Sequence, residues 1–177
     1  IAGEDTAGII ATLPEITIQL TYQDGAQRVL LNGEDVSEAI RTPEISYYAS
    51  KVSAVPEVRQ FLLETQRSMA KNSSILMDGR DIGTVILPDA PVKIFLTASA
   101  QSRAERRYKE LIEKGQQVTM DGILHDINER DRQDMTRAVA PLKQADDAVL
   151  LDTSSLMLEE SIAAVLRIIR EKTEEKA

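Results

Sequence analysis

An α/β fold with a parallel sheet is what this sequence predicts, and three observations carry that expectation. Three short apolar runs, at residues 75–77, 92–96 and 148–151, are each followed by polar or small residues and then by a helical pattern. The first seventy or so residues differ in character, with a hairpin and helices ahead of that alternation, so they read as a separate lobe. Finally, the run at 75–77 opens into Asp78-Gly79-Arg80-Asp81-Ile82-Gly83-Thr84, a tight polar loop at the carboxyl end of a strand, where open α/β sheets place ligands. The expected boundaries are a lobe at 1–73 and an α/β core at 74–177.

Length and composition limit the function classes. A chain of 177 residues can bury a full core as one domain, or as one domain with an inserted lobe. Aromatic residues make up 3% and tryptophan is absent, so the core must be aliphatic. Without cysteine there is no disulfide, thiolate metal site or thiol nucleophile, which suits a reducing cytoplasm. A single histidine, His125, excludes multi-histidine metal sites, argues against a Ser-His-Asp centre, and reads as a solvated surface residue. The net charge of -8 and the lack of clustered aromatics argue against a nucleic-acid partner. No run is long enough to span a membrane, and no basic-then-apolar signal segment opens the chain.

Taken in order, the chain begins at Ile1-Ala2-Gly3 without an initiator methionine. Residues 8–13 carry apolar side chains at helical spacing until Pro14 makes continuation unfavourable. Alternation follows, with Ile16, Ile18 and Leu20 on one face; Asp24-Gly25 turns the chain and Val29-Leu30-Leu31 returns, which predicts a β-hairpin. Asn32-Gly33-Glu34-Asp35 marks the next turn. Thr42-Pro43 predicts a helix start, a cap residue before proline at the first helical position. Pro56 starts another helix, reaching about Ala70 and carrying Val58, Phe61, Leu62 and Thr65 inward. Beyond the three core strands, the last helix places Leu158, Ile162, Val165, Leu166 and Ile169 on one face and ends in a solvated, frayed tail at 170–176.

Two helices carry arginines at telling intervals. On one, expected from about Gln101 to Lys114, Arg103, Arg106 and Arg107 fall at i, i+3 and i+4, a repulsive grouping unless an anion sits among them or Glu105 and Glu110 neutralise them. On the other, Arg130, Asp134 and Arg137 form one stripe, with a carboxylate between two guanidinium groups. That stripe reads either as an ion-pair ladder or as a carboxylate that orients a sugar hydroxyl while the arginines face phosphate. Arginines with supporting aspartates, and no histidine base, thiol or metal cage, suit chemistry done by positioning and charge neutralisation. Phosphoryl transfer is such chemistry, because its transition state spreads negative charge over non-bridging oxygens.

The stretches Asp78-Gly79-Arg80-Asp81-Ile82-Gly83-Thr84-Val85, Pro88 to Leu96, and Arg103-Ala104-Glu105-Arg106-Arg107 resemble bacterial cytidylate kinases. So do Glu129-Arg130-Asp131 with Asp134 and Arg137, Ala138-Val139-Ala140-Pro141-Leu142, and Asp147 to Thr153. The resemblance covers essentially the whole chain and implies a P-loop nucleoside-monophosphate kinase fold with an inserted antiparallel hairpin and helix lobe. It implies phosphoryl transfer from ATP, with Mg2+, to CMP or dCMP in pyrimidine nucleotide metabolism, by a monomeric cytoplasmic enzyme. Carried over by position, Ser50, Arg59 and Asp81 match residues that recognise the cytosine base, and Arg130 and Asp134 match ribose contacts. Arg80 and Arg137 match ligands of the monophosphate. Arg106 and Arg107 match lid arginines that close over the transferring group, on a lid at about 103–137, with Arg103 beside them on the ATP side.

One departure stands out. The family's G-x-x-x-x-G-K-[ST] phosphate loop, which holds ATP and magnesium, does not occur in this sequence; Gly33-Glu34-Asp35-Val36-Ser37 is acidic and lacks the lysine. The chain is therefore expected to lack the first strand and phosphate loop of the family, to leave a slot between the strands at 75–77 and 92–96, and as written to bind CMP without transferring phosphate.

Overall fold

The computed structural model of the chain describes residues 5–53 and 55–174, and within them every side chain except those of Pro43, Ser46, Ser50 and Asn72. The opening Ile1-Ala2-Gly3, the Ser50 side chain and the last three residues of the tail lie outside that description. The chain divides into two compact units, Ile1–Ile75 and Leu76–Ala177.

In the first unit, helix α1 (Thr6–Thr12) starts at Asp5, whose carboxylate accepts from the Gly8 amide at 2.9 Å, and gives way to a 3₁₀ turn at Leu13–Glu15, where Pro14 sits. Strands β1 (Ile18–Gln23) and β2 (Ala26–Leu31) pair antiparallel, Ile18 opposite Leu31 and Gln23 opposite Ala26. The two-residue turn between them has Asp24 and Gly25 both at positive φ, 54° and 76°, the mirror-image turn that matches the twist of a hairpin. Asn32 and Gly33 repeat the device, and a third strand, β3 (Glu34–Asp35), extends the sheet where the sequence suggested a turn alone. Ser37 is buried; its hydroxyl accepts from the Val29 amide at 2.8 Å and donates to Asp35 at 2.5 Å. Helix α2 (Pro43–Val52) begins with Thr42 capping the Ile45 amide at 3.2 Å. Helix α3 (Pro56–Asn72) buries Val58, while Phe61, Leu62 and Thr65 are half-buried.

Residues 74–78, at the boundary of the two units, adopt no regular secondary structure, so the expected strand at 75–77 does not form, and among the described residues the parallel sheet holds only β4 (Ile94–Thr97) and β5 (Val149–Asp152). A strand exists through hydrogen bonds to a neighbour, and an apolar run without one among the described residues stays irregular; Leu76 is 92% exposed. After Asp81 the chain makes a π-helical turn, Ile82–Ile86, in which the Asp81 carbonyl accepts from both Val85 (2.9 Å) and Ile86 (3.2 Å). A Cβ at Gly79 would lie 2.8 Å from the Ile82 side chain, so any larger residue there would force that side chain to shift.

β4 and β5 pair in parallel, Ile94 opposite Val149 and Thr97 opposite Asp152. They are joined by helices α4 (Ala100–Glu113) and α5 (Met120–Thr136). Ala104, Leu111 and Ile123 are buried between these helices, with Tyr108, Val118, Met120, Leu124 and Ile127 packed around them. Helix α6 (Leu158–Glu174) continues through most of the stretch expected to fray. It buries Ile168, with Val165 and Ile169 half-buried, whereas Leu158, Ile162 and Leu166 of the expected core stripe are exposed. Two strands offer too little surface to cover so broad an apolar face. Among the described residues, no helix is long and apolar enough to cross a membrane.

Candidate active site

The loop after Met77 and the end of α5 bring four of the expected site residues together. Arg80 donates through Nε to Asp134 Oδ2 at 3.0 Å, a bond that joins positions 54 residues apart in the chain. The other oxygen of Asp134 lies 3.8 Å from a terminal nitrogen of Arg137, and the second terminal nitrogen of Arg137 lies 3.9 Å from Asp81. The order Arg80, Asp134, Arg137, Asp81 thus alternates cation and anion. The carboxylates of Asp81 and Asp134 are mostly covered, with 12% and 19% of their side-chain surface exposed.

Arg137 reaches this position because α5 ends one residue before it. Its backbone is extended, φ -60° and ψ 141°, so the stripe with Arg130 and Asp134 is broken at its last member. Its Nε donates to the carbonyl of Ala140 at 2.6 Å, and Ala140 holds a left-handed φ of 48°. The turn closes when the Leu142 amide donates to the carbonyl of Asp134 at 2.7 Å. One terminal nitrogen of Arg137 is buried without a hydrogen bond, leaving only the longer ion pair to Asp81.

A second ionic group adjoins the first. Arg103 lays its two terminal nitrogens on the two oxygens of Asp131, at 2.9 and 2.6 Å, and its Nε donates to the carbonyl of Ala98 at 3.0 Å. The hydrogen bonds from Arg103 hold the Asp131 carboxyl below the usual carboxylate range, helped by the charges of Arg103, Arg80 and Arg130, and Arg103 is correspondingly raised. Arg130 itself is exposed, yet its charge is felt at Asp131. Asp131 is an ion-pair partner that helical spacing alone does not single out, because Arg103 lies on another helix.

The remaining expected residues stand elsewhere. Arg106 donates to the carbonyls of Thr153 and Leu156, the latter at 3.2 Å, and lies on the turn between β5 and α6. Arg107 pairs with Glu110 at 2.7 Å on the exposed face of α4, where Lys114 also meets Glu110 at 2.6 Å. Together these contacts lower the Glu110 pKa. Glu105 accepts from Gln101 at 2.9 Å. The three arginines of α4 therefore have three different sets of partners rather than one shared anion. In the first unit, Arg59 donates to the carbonyl of Ser53 at 3.4 Å, and Ser50 lies on α2. His125 is exposed. An open hollow lined by Ile112, Gln116, Gln117, Val118 and Thr119 lies at the turn joining α4 to α5, the opposite end of these helices from Arg103 and Asp134.

Residues 2–171 match the protein family described as Cytidylate kinase. The chain belongs to the cytidylate kinase family. It is 47% identical over 171 residues to the cytidylate kinase of Carboxydothermus hydrogenoformans, covering 97% of this chain and 77% of that protein. The cytidylate kinase of Thermosipho melanesiensis is 52% identical over 155 residues, covering 88% of this chain and 70% of that protein. The cytidylate kinase of Pasteurella multocida is 47% identical over 174 residues, covering 98% and 77% respectively.

Proposed function

We propose that this chain supplies the acceptor and lid groups of a cytidylate kinase, which transfers a phosphoryl group from ATP to CMP or dCMP. The observation that carries the reading is Asp134 held between Arg80 and Arg137, with Asp81 beside Arg137. Arg80 and Arg137 neutralise the monophosphate, whose charge would otherwise repel the incoming phosphoryl group. Asp134, aided by Arg130, orients the ribose by accepting from its hydroxyls. Asp81 accepts from the exocyclic amine of cytosine and does not act as a general base. Base recognition is also assigned to Ser50 and Arg59 by their match to the family pattern, independently of the charged cluster.

Arg106 and Arg107 are the proposed catalytic lid residues, with Arg103 on the ATP side. To meet the transferring group, Arg106 must leave the carbonyls of Thr153 and Leu156, and Arg107 must leave Glu110. The partners of Arg107 are exposed and weak, so that exchange costs little. Among the described residues, no group of three or more Asp, Glu, His or Cys side chains could hold a metal ion. Mg2+ is assigned to ATP by the family resemblance, and no step assigned to these side chains runs through it. The reading places a monomeric enzyme in the cytoplasm.

A second reading is CMP binding without turnover, favoured by the fact that Arg80, Asp81, Asp134 and Arg137 all suit the acceptor nucleotide. Calorimetry with CMP, UMP and AMP beside a coupled assay for ADP separates the two. Tight CMP uptake with ADP release supports the kinase, and uptake without ADP supports the binding chain. An unchanged preference among the three nucleotides in Asp81→Ala would show that the assignment of base recognition is wrong.

A further inference from the structure

Arg80 is already engaged through its Nε, whose bond to Asp134 at 3.0 Å would have to be exchanged before that edge could receive a phosphate oxygen, while Arg137 keeps a buried terminal nitrogen without a hydrogen bond. The geometry points to Asp134 as a specificity-determining residue that lets a nucleoside monophosphate in and turns a bare phosphate away. The inference rests on the acceptor-site reading above and adds a task for Asp134 beyond holding the ribose.

The discrimination follows from what each ligand gives back. A simple anion that claims the Arg80 Nε must displace Asp134 Oδ2 and then sit beside a carboxylate that has lost its hydrogen-bonded cation and keeps only the longer 3.8 Å approach of Arg137. That carboxylate is mostly covered, so water makes up little of the loss, and the like charges repel. CMP claims the same guanidinium with its phosphate but brings ribose hydroxyls that can donate to the released carboxylate. The ion pair is exchanged for two bonds in one case and broken in the other. Asp134 thereby acts as a placeholder that imitates the anion until a ligand carrying both a phosphate and a sugar arrives.

Arg137 makes the exchange possible without collapse of the loop. Its Nε bond to the Ala140 carbonyl holds the Arg137 guanidinium, and the Leu142 amide bond to the Asp134 carbonyl holds the backbone that carries Asp134, while Arg80 changes partner. Asp131 provides the internal comparison, because its carboxylate is committed to Arg103 and acts on Arg80 only through space.

The test is isothermal titration of the full chain with inorganic phosphate and with CMP at one fixed ionic strength. It compares wild type with Asp134→Asn, Asp134→Ser and Asp131→Asn, each checked for a cooperative melt. Both Asp134 variants should bind phosphate about tenfold tighter or more, the scale of one charge-assisted hydrogen bond, and should bind CMP more weakly. Asp131→Asn should leave phosphate binding within about twofold. Phosphate affinity unchanged or lowered in both folded Asp134 variants overturns the placeholder. So does an equal gain in Asp131→Asn, which would report net charge alone. Failure of the wild-type chain to take up CMP would instead remove the functional reading, and the phosphate comparison would still decide whether Asp134 blocks Arg80.

Discussion

Arg103 of α4 and Asp131 of α5 form a two-bonded ion pair, 2.9 and 2.6 Å, that ties the amino-terminal end of one helix to the carboxyl-terminal half of the next. With the Ala98 carbonyl on its Nε, each of the three guanidinium nitrogens of Arg103 donates a hydrogen bond.

Asp131→Asn is expected to cost about 1 kcal/mol at pH 7, since the pair is about one-third exposed and water screens it, and so to lower Tm by a few degrees. The pH sign follows from the lowered folded pKa of Asp131, for which hydrogen bonds from Arg103 are the largest cause. The contribution is complete above the ordinary unfolded value of about 4 and is lost as pH falls through the lower folded value. Melting curves of wild type and variant at pH 7 should differ, and the gap should close at acid pH. A gap that stayed constant would mean the carboxylate is not the source.

Arg106 and Arg107 should separate in stability. Removing Arg106 uncovers the carbonyls of Thr153 and Leu156, and Arg106→Ala is expected to cost about 1–2 kcal/mol in urea unfolding. Arg107→Ala loses an exposed pair with Glu110 and should change stability by less than about 0.5 kcal/mol. Equal losses would contradict the different partners seen for the two side chains.

Ala140 is the strained point beside the site. Its φ of 48° is costly for a residue with a Cβ, so Ala140→Gly should stabilise the chain by about 0.5–1 kcal/mol while keeping the carbonyl that holds Arg137. The check is a chemical denaturation midpoint beside a CMP titration. A variant that melts earlier would show that the left-handed backbone is not under strain.

Along α6 the buried and exposed apolar positions should behave differently. Ile168→Ala removes a buried side chain and is expected to cost about 2–4 kcal/mol. Ile162→Ala, at an exposed position, should cost less than about 1 kcal/mol. Thermal melts of the two variants read the difference directly.

Local chemistry in the sequence was enough for the helices and the hairpin. Pro14, Pro43 and Pro56 punctuate the chain where helices or turns change, and Asp24-Gly25 and Asn32-Gly33 take the positive φ angles that such pairs favour. The strand expected at 75–77 shows the limit of that reasoning. An apolar run predicts burial, but whether it becomes a strand depends on a hydrogen-bonding neighbour that no local pattern reveals. The same holds for the apolar stripe of α6, whose width exceeds what two strands cover. In the candidate site, Arg80, Asp81, Asp134 and Arg137, which the structure brings together, are legible in the sequence as charged residues. Their partners are not, since Arg80 and Asp134 meet across 54 residues and Arg103 and Asp131 across 28. Equal spacing on α4 suggested one shared anion for Arg103, Arg106 and Arg107. Rotation around the helix instead sends each to a different neighbour.

The most direct measurement is a calorimetric titration of the chain with CMP and with cytidine, repeated on Arg80→Ala/Arg137→Ala. The account predicts saturable CMP binding that is at least about tenfold tighter than cytidine, with that advantage lost in the double variant, as expected when two guanidinium groups hold the phosphate. A folded double variant that binds CMP as tightly as the wild-type chain would contradict it.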